Sequence, residues 1–206
     1  MPAAPEIEGM SVPPPLSPNP AALEFLLHRR SRPPRMLGNS APDREALRTL
    51  LAAATRVPDH GKLEPWRFIV LTAEACKRLA VLTKSRGAAL GVDERRLEKD
   101  HSGFVDAPLI VAVISSPKPH PTVPESEQYA SAAAVCVSLL NAALAAGWGA
   151  VWLTGWRATD RPFLTQGLNL FPHESVAGFI HIANEVRVPP DRPRPDTDAL
   201  TTWVNT

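Results

Sequence analysis

The sequence predicts one central β-sheet with helices packed around it. Three observations lead there. Four segments have the length and composition of strands, amphipathic helical patterns alternate with them, and 206 residues that are 44% hydrophobic suit one domain with a sizeable core. The element order, α-α-β-α-α-β-α-β-α-β, does not divide into regular βαβ units, so periodicity leaves α+β and α/β both open.

The first helix spans Ala21 to Arg30, with Leu23, Leu26 and Leu27 on one side, and Pro33-Pro34 prevent its continuation. A second begins near Ser40, with Asp43 in a loose capping-box spacing. Its apolar face is Ala46, Leu47, Leu50, Leu51 and Ala54, and it ends before Pro58. Trp66 to Thr72 is a strand rich in aromatic and β-branched residues. Glu74 to Lys84 is a helix, and Asp93 to His101 a charged, mostly exposed one. Leu109 to Ser115 is an unbroken apolar run of strand length, which predicts burial on both faces. Glu125 to Ala146 is the longest periodic segment, with small residues that permit close helix packing. A third strand covers Ala150 to Thr154 and a fourth Val176 to Ile182, with a short helix over Asp160 to Leu168 between them. Residues 1–18 are proline-rich and aperiodic, the pattern of a flexible arm, leaving 19–206 as a single folded domain.

A formal net charge of +1 provides no overall field for nucleic acid or an anionic membrane, so any bound anion needs a local cluster. No stretch of about 18 uninterrupted apolar residues marks a transmembrane helix. The N-terminus lacks the basic start and apolar run of a signal peptide. The expectation is a cytoplasmic protein that binds a small molecule and neither membrane nor nucleic acid. Cys76 and Cys136 match no metal-ligand spacing and fall in apolar-periodic segments, which predicts buried, reduced side chains. The histidines show no zinc-site spacing, so no metal is expected. Walker A and G-x-S-x-G motifs are absent. Gly147-Trp148-Gly149 begins like a dinucleotide fingerprint, but its sixth position is Trp152 and it leads into a strand instead of a helix.

Three segments carry possible chemistry. His28-Arg29-Arg30-Ser31 ends the first helix. Cations there are favourable on dipole grounds alone, and an arginine pair with a hydroxyl also suits a phosphate monoester. Val57 to Phe68 (VPDHGKLEPWRF) is a turn-rich loop that places His60 and Lys62 before the first strand. It reads either as a connection with a core tryptophan or as a ligand-facing loop. Gly147 to Gly155 (GWGAVWLTG) is either a tight helix-to-strand turn or a source of backbone N–H groups for a flat ligand.

Together and in this order, R-R-S, P-D-H-G-x-x-x-P-W-R-F and G-x-G-A-x-W-x-T-G resemble the nitroreductase family, most closely its smaller, YdjA-like branch of NAD(P)H nitroreductases. Pro124 to Gln128 (PESEQ) and the Arg192-Pro193-Arg194-Pro195 run fit the same branch, and the resemblance covers Ala21 to Pro195. It implies an α+β fold, a central sheet flanked by helices, with flavin mononucleotide (FMN) at a homodimer interface. Arg29, Arg30 and Ser31 would hold the FMN phosphate and ribityl chain, joined by Arg194. His60 and Gly61 would approach the flavin from the other subunit, with Glu64 nearby, and Trp152, Leu153 and Thr154 would line the isoalloxazine ring. Ala142 to Gly147 would lie against the nicotinamide donor. Two departures stand out: Leu153 where arginine is common, and Ala183-Asn184-Glu185 where a Gly-Thr-Pro is common.

The implied activity is NAD(P)H-dependent reduction of nitroaromatic, quinone or related acceptors by ping-pong hydride transfer. The chemistry belongs to the flavin, so no protein side chain is expected to be catalytic in itself. Lys62 and Arg32 are the candidates for stabilising negative charge on the reduced ring. Trp66, Trp148, Trp152 and Trp156 read either as core and interface packing or as walls of the flavin pocket. Two other readings keep the cofactor: an FMN-dependent dehydrogenase or tailoring oxidase, and a non-enzymatic flavin-binding protein.

Overall fold

In the computed structural model, which describes residues 15–205, β1 (Trp66–Thr72), β2 (Leu109–Ser115), β3 (Gly149–Leu153) and β4 (Ser175–Ala183) form a single sheet. Its order is β1-β2-β4-β3, and every neighbouring pair is antiparallel. Helices cover both faces, so the class is α+β. The flexible arm expected over residues 1–18 lies largely outside the described residues; Pro15 to Pro18 are exposed and irregular.

The central strand β2 is buried at all seven positions, as its unbroken apolar run predicts. Its residues alternate between two cores. Leu109, Val111 and Val113 face α2 (Arg44–Ala54) and α5 (Glu125–Ala145). Ile110, Ala112 and Ile114 face α3 (Ala73–Ala89), α4 (Glu94–Val105) and α6 (Arg161–Leu168). In β4 the alternation slips: Val113 pairs with Gly178 and Ile114 with Val176, leaving Ala177 as the extra residue of a bulge. Trp152 explains the glycine. Its indole donates to the Ala177 carbonyl at 3.2 Å, and a Cβ on Gly178 would lie 2.1 Å from the same indole nitrogen.

The first helix stops at His28 instead of Arg30, and three other helix ends also differ from expectation. α2 starts after Asp43, whose carboxylate accepts from the Ala46 N–H at 2.8 Å, so Asp43 and not Ser40 is the N-cap. α3 continues past Lys84 to Ala89, through Ser85 and Gly87. At Gly87 a Cβ would meet Leu97 at 2.4 Å, so the glycine serves the α3–α4 contact. α4 likewise runs on to Val105, because Phe104 must reach Phe163 and Phe179 in the second core. Cys76 and Cys136 are buried free thiols, and burial pushes both up to about 12.

Not all apolar surface is covered. α1 (Pro20–His28) is capped by Asn19, begins with proline at its first position, and buries no residue. Leu23, Leu26 and Leu27 are 60, 56 and 60% exposed. α5 is long and apolar enough to cross a membrane by length and composition, yet one side of it packs on the sheet. Its other side, including Ala130 and Val137, is exposed, and the Asn141 Oδ1 there is buried without a partner.

Candidate functional site

The segment after α1 is fastened along the sheet edge. The Arg32 N–H donates to the Ala150 carbonyl of β3 at 2.8 Å, Leu37 bridges to Glu185, and the Gly38 N–H donates to the Asn184 carbonyl at 2.8 Å. Asn184 also accepts from the Ser40 N–H through Oδ1 at 2.9 Å. The asparagine that departs from the common Gly-Thr-Pro therefore holds this segment in place. Arg32 is not a free cation, since its guanidinium is paired with Glu185 and donates to the Arg30 carbonyl.

Arg29 and Arg30 are placed differently. They line a cavity of about 370 Å³ with Phe25, His28, Trp148 and Gly149. Arg29 Nη2 donates to Ser31 Oγ at 3.1 Å, so these two polar groups of the R-R-S motif are in contact. The Nε atoms of both Arg29 and Arg30 are buried with no hydrogen-bond partner. Burial, followed by the charges of Arg30, Arg32 and Arg194, lowers the Arg29 guanidinium below its ordinary range. Arg194, 165 residues further along the chain, contributes least of these; it is exposed and pairs with Asp191 at 3.2 Å. Neighbouring cations with orphaned N–H groups suit an anion, and an arginine fork suits a phosphate. The residues present fit the FMN phosphate.

The P-D-H-G loop lies elsewhere. Its backbone is held in the left-handed region at Gly61 (φ 70°), Lys62 (φ 53°) and Glu64 (φ 47°). Asp59 holds that shape, its carboxylate accepting from the N–H groups of Leu63 at 3.2 Å and Glu64 at 2.8 Å. From behind, Ser131 of α5 donates to the Pro58 carbonyl at 2.7 Å and accepts from the Trp66 indole at 3.2 Å. His60 Nδ1 stands 2.8 Å from the Glu127 carboxylate at the start of α5. Both flank a cavity of about 250 Å³ whose walls include Pro58, Val123, Ala130 and Ala134. Lys62 and Glu64 are exposed on the same loop.

β3 supplies the third part. Trp152 and Leu153 are half-buried and Thr154 is exposed. Trp152 commits its N–H to the β4 bulge, so what this segment offers a flat ligand is backbone and the Thr154–Gly155 turn. Gly155 adopts φ 92°, ψ −170°, a conformation essentially confined to glycine. Behind it, Trp156 donates to Asp100 Oδ2 at 2.9 Å, and Arg157 reaches Asp100 Oδ1 at 3.2 Å while lying 5.0 Å over the Phe104 ring. Three of the four tryptophans in question are thus tied to internal acceptors, and Trp148 lines the arginine cavity.

The pairings His60–Glu127, Arg32–Glu185, Asp100–Arg157 and Arg67–Glu174 were not legible in the sequence. Glu127 had one available signal, its place in the PESEQ stretch that opens α5. No group of three or more His, Cys, Asp or Glu side chains suited to a metal occurs among the described residues.

The arginine cavity and the His60 cavity share α5 but sit at its opposite ends, one lined by Leu144 and the other by Glu127 to Ala134. With 1.5 Å of rise per residue, Ser131 and Leu144 are about 20 Å apart.

The nitroreductase family model matches residues 26–183. Over 161 residues the chain is 31% identical to Escherichia coli K12 "Putative NAD(P)H nitroreductase YdjA", covering 78% of this chain and 86% of that protein. Among solved structures, a nitroreductase-like family protein from Bacillus cereus superimposes with a TM-score of 0.76 at 20% identity, over 93% of this chain and 100% of the other. A nitroreductase with bound FMN from Bacteroides fragilis gives 0.67 at 21% identity, over 89% and 98%. The chain belongs to the nitroreductase family, and is accordingly an oxidoreductase acting on small molecules.

Proposed function

We propose that this protein is an FMN-dependent NAD(P)H oxidoreductase that reduces nitroaromatic, quinone or related acceptors by a ping-pong mechanism. It works as a cytoplasmic homodimer in which residues 19–206 form one domain. The observation that carries the reading is the arginine cluster, where the buried Nε groups of Arg29 and Arg30 lack partners and Arg194 adds charge.

In this reading Arg29, Arg30 and Ser31 would hold the phosphate and ribityl chain, joined by Arg194 at the phosphate. When bound, FMN would supply the redox chemistry between NAD(P)H and the second substrate. Trp152, Leu153 and the Thr154–Gly155 turn present backbone to the ring, and Asp100, Trp156 and Arg157 fix that turn from behind. His60, Gly61 and Glu64 come from the other subunit. Support for a two-chain site comes from the roughly 20 Å between the half-sites along α5. The leucines of α1, the open face of α5, and Trp203, which is 81% exposed, supply apolar surface for a second copy to cover.

The test is the absorption spectrum of the purified protein before and after NADPH, then NADH, under argon. Flavin bands that bleach are expected. Bands that persist with both donors would remove the reductase assignment, and a colourless protein that takes up no added FMN would remove the cofactor as well.

A further inference from the structure

We propose that His60, oriented by Glu127, is the proton donor to the electron acceptor; this rests on the flavin-reductase reading above. An ionised carboxylate can only accept hydrogen bonds. The 2.8 Å contact of Glu127 Oε1 with His60 Nδ1 therefore fixes the hydrogen on Nδ1 and reserves Nε2 for a ligand. The backbone beside His60 is held in an unfavourable shape at Lys62 and Glu64, with Asp59 and Ser131 enforcing it from two sides. Such fastening positions a side chain more narrowly than a connecting loop requires.

The surroundings suit an aromatic acceptor. The cavity beside His60 has apolar walls at Pro58, Val123, Ala130 and Ala134; of its polar residues, Gln128 and Ser131 are bonded to the Lys118 and Pro58 backbone, which leaves the His60–Glu127 pair facing the space. The other ionisable group lining it is Asp59, whose carboxylate is occupied by the loop N–H groups, while Lys62 and Glu64 stand exposed on the same loop. The pair is itself about half exposed, 57% for the His60 side chain and 49% for Glu127, so solvent can reload the proton.

The step balances as quinone + NAD(P)H + H⁺ → hydroquinone + NAD(P)⁺. Hydride from the nicotinamide, relayed through the site, leaves the quinone as a hydroquinone monoanion. The Nε2–H of the His60 imidazolium then protonates that oxyanion, and the neutral ring keeps its Nδ1–H on Glu127. NAD(P)H is the reductant and no further reactant is needed.

Stopped-flow reoxidation by a quinone is compared with reoxidation by ferricyanide, which accepts electrons without a proton. In the wild type the quinone rate shows a solvent deuterium isotope effect that the ferricyanide rate lacks. His60→Gln lowers the quinone rate relative to the ferricyanide rate by about 100-fold and abolishes the isotope effect. Glu127→Gln, which removes the carboxylate that orients the ring, lowers the same ratio on the order of tenfold. A readout independent of turnover is ¹⁵N NMR of the imidazole, which should show the hydrogen on Nδ1 in the wild type and lose that fixed tautomer in Glu127→Gln. A quinone rate without the isotope effect, or equal losses with both acceptors in His60→Gln, overturns the proposal and leaves the flavin-reductase reading standing. Flavin that neither nicotinamide bleaches defeats both. Should His60→Gln fail to bind FMN, the wild-type isotope effect and the Glu127→Gln rates decide the question.

Discussion

The two ends of α5 carry opposite kinds of unfinished structure. At the C-terminal end the backbone is orderly and the side chains are incomplete, with mutually repelling arginines and two orphaned Nε groups. At the N-terminal end most side-chain bonds are made, through Asp59, Ser131, Trp66 and Glu127, and the backbone carries the strain at Lys62 and Glu64. An end where Arg29 and Arg30 have orphaned Nε groups and no carboxylate partner among the described residues calls for an anion. An end that is tied down and strained holds one imidazole in a fixed place. The difference separates holding a cofactor from serving a reaction, and the distance between the ends is what the proposed two-chain site rests on.

Mixed dimers would break this comparison most visibly. Arg29→Ala/Arg30→Ala and His60→Gln chains should each be nearly inactive in quinone reduction. After mixing in equal amounts, half the dimers pair the two variants and each of those has one intact site, so about a quarter of wild-type activity should return. Activity no higher than the sum of the parents would place both ends in one chain's site.

A scaffold prediction lies between the ends in size. Arg67 grips Glu174 through two bonds of 2.6 and 2.8 Å, and Glu174 is only 2% exposed. The Arg67 hydrogen bonds outweigh burial and hold the Glu174 carboxyl down at about 2. A carboxyl lowered on folding stabilises above its unfolded value near 4.5, and that contribution is lost as pH falls toward 2. His181 adds a second acid sensitivity. Burial first, and then Arg157, push it down to about 3, so the unfolded chain binds the extra proton and stability erodes as pH falls from 6.5 toward 3. Urea unfolding should therefore weaken in two stages on acidification. Glu174→Gln should cost about 3 kcal/mol at neutral pH, flatten the lower stage and leave the upper one intact.

Ser131→Ala should have the smallest effect. It releases the Pro58 carbonyl and the Trp66 indole at the histidine end alone, with about 1 kcal/mol lost in urea unfolding and FMN affinity changed less than twofold. A loss of FMN affinity as large as that caused by the arginine substitutions would erase the division of labour between the ends.

How legible each region was in the sequence follows from how local its physics is. β2 could be read outright, because a strand buried on both faces has no polar positions to confuse its pattern. α3 and α4 were read short, because Gly87 answers to Leu97 on another helix and Phe104 to two distant phenylalanines, which no local pattern encodes. Strand directions were closed to sequence reading for the same reason. The arginine end was legible as a motif because Arg29, Arg30 and Ser31 are consecutive. Its counterpart was half legible: His60 stands in the motif, but Glu127 lies 67 residues away. Arg32, a candidate for stabilising charge on the reduced ring, is paired with Glu185 at a separation of 153 residues.

The central claim is that Arg29 and Arg30, whose Nε groups have no partner, hold the phosphate of FMN. The direct measurement is fluorescence titration of the flavin-free protein with FMN and with riboflavin, which has the same ring and no phosphate. FMN should bind at least about 100-fold tighter, with the advantage largely gone in Arg29→Ala/Arg30→Ala. Equal affinity for the two flavins, or an FMN advantage untouched by removing both arginines, would contradict the account.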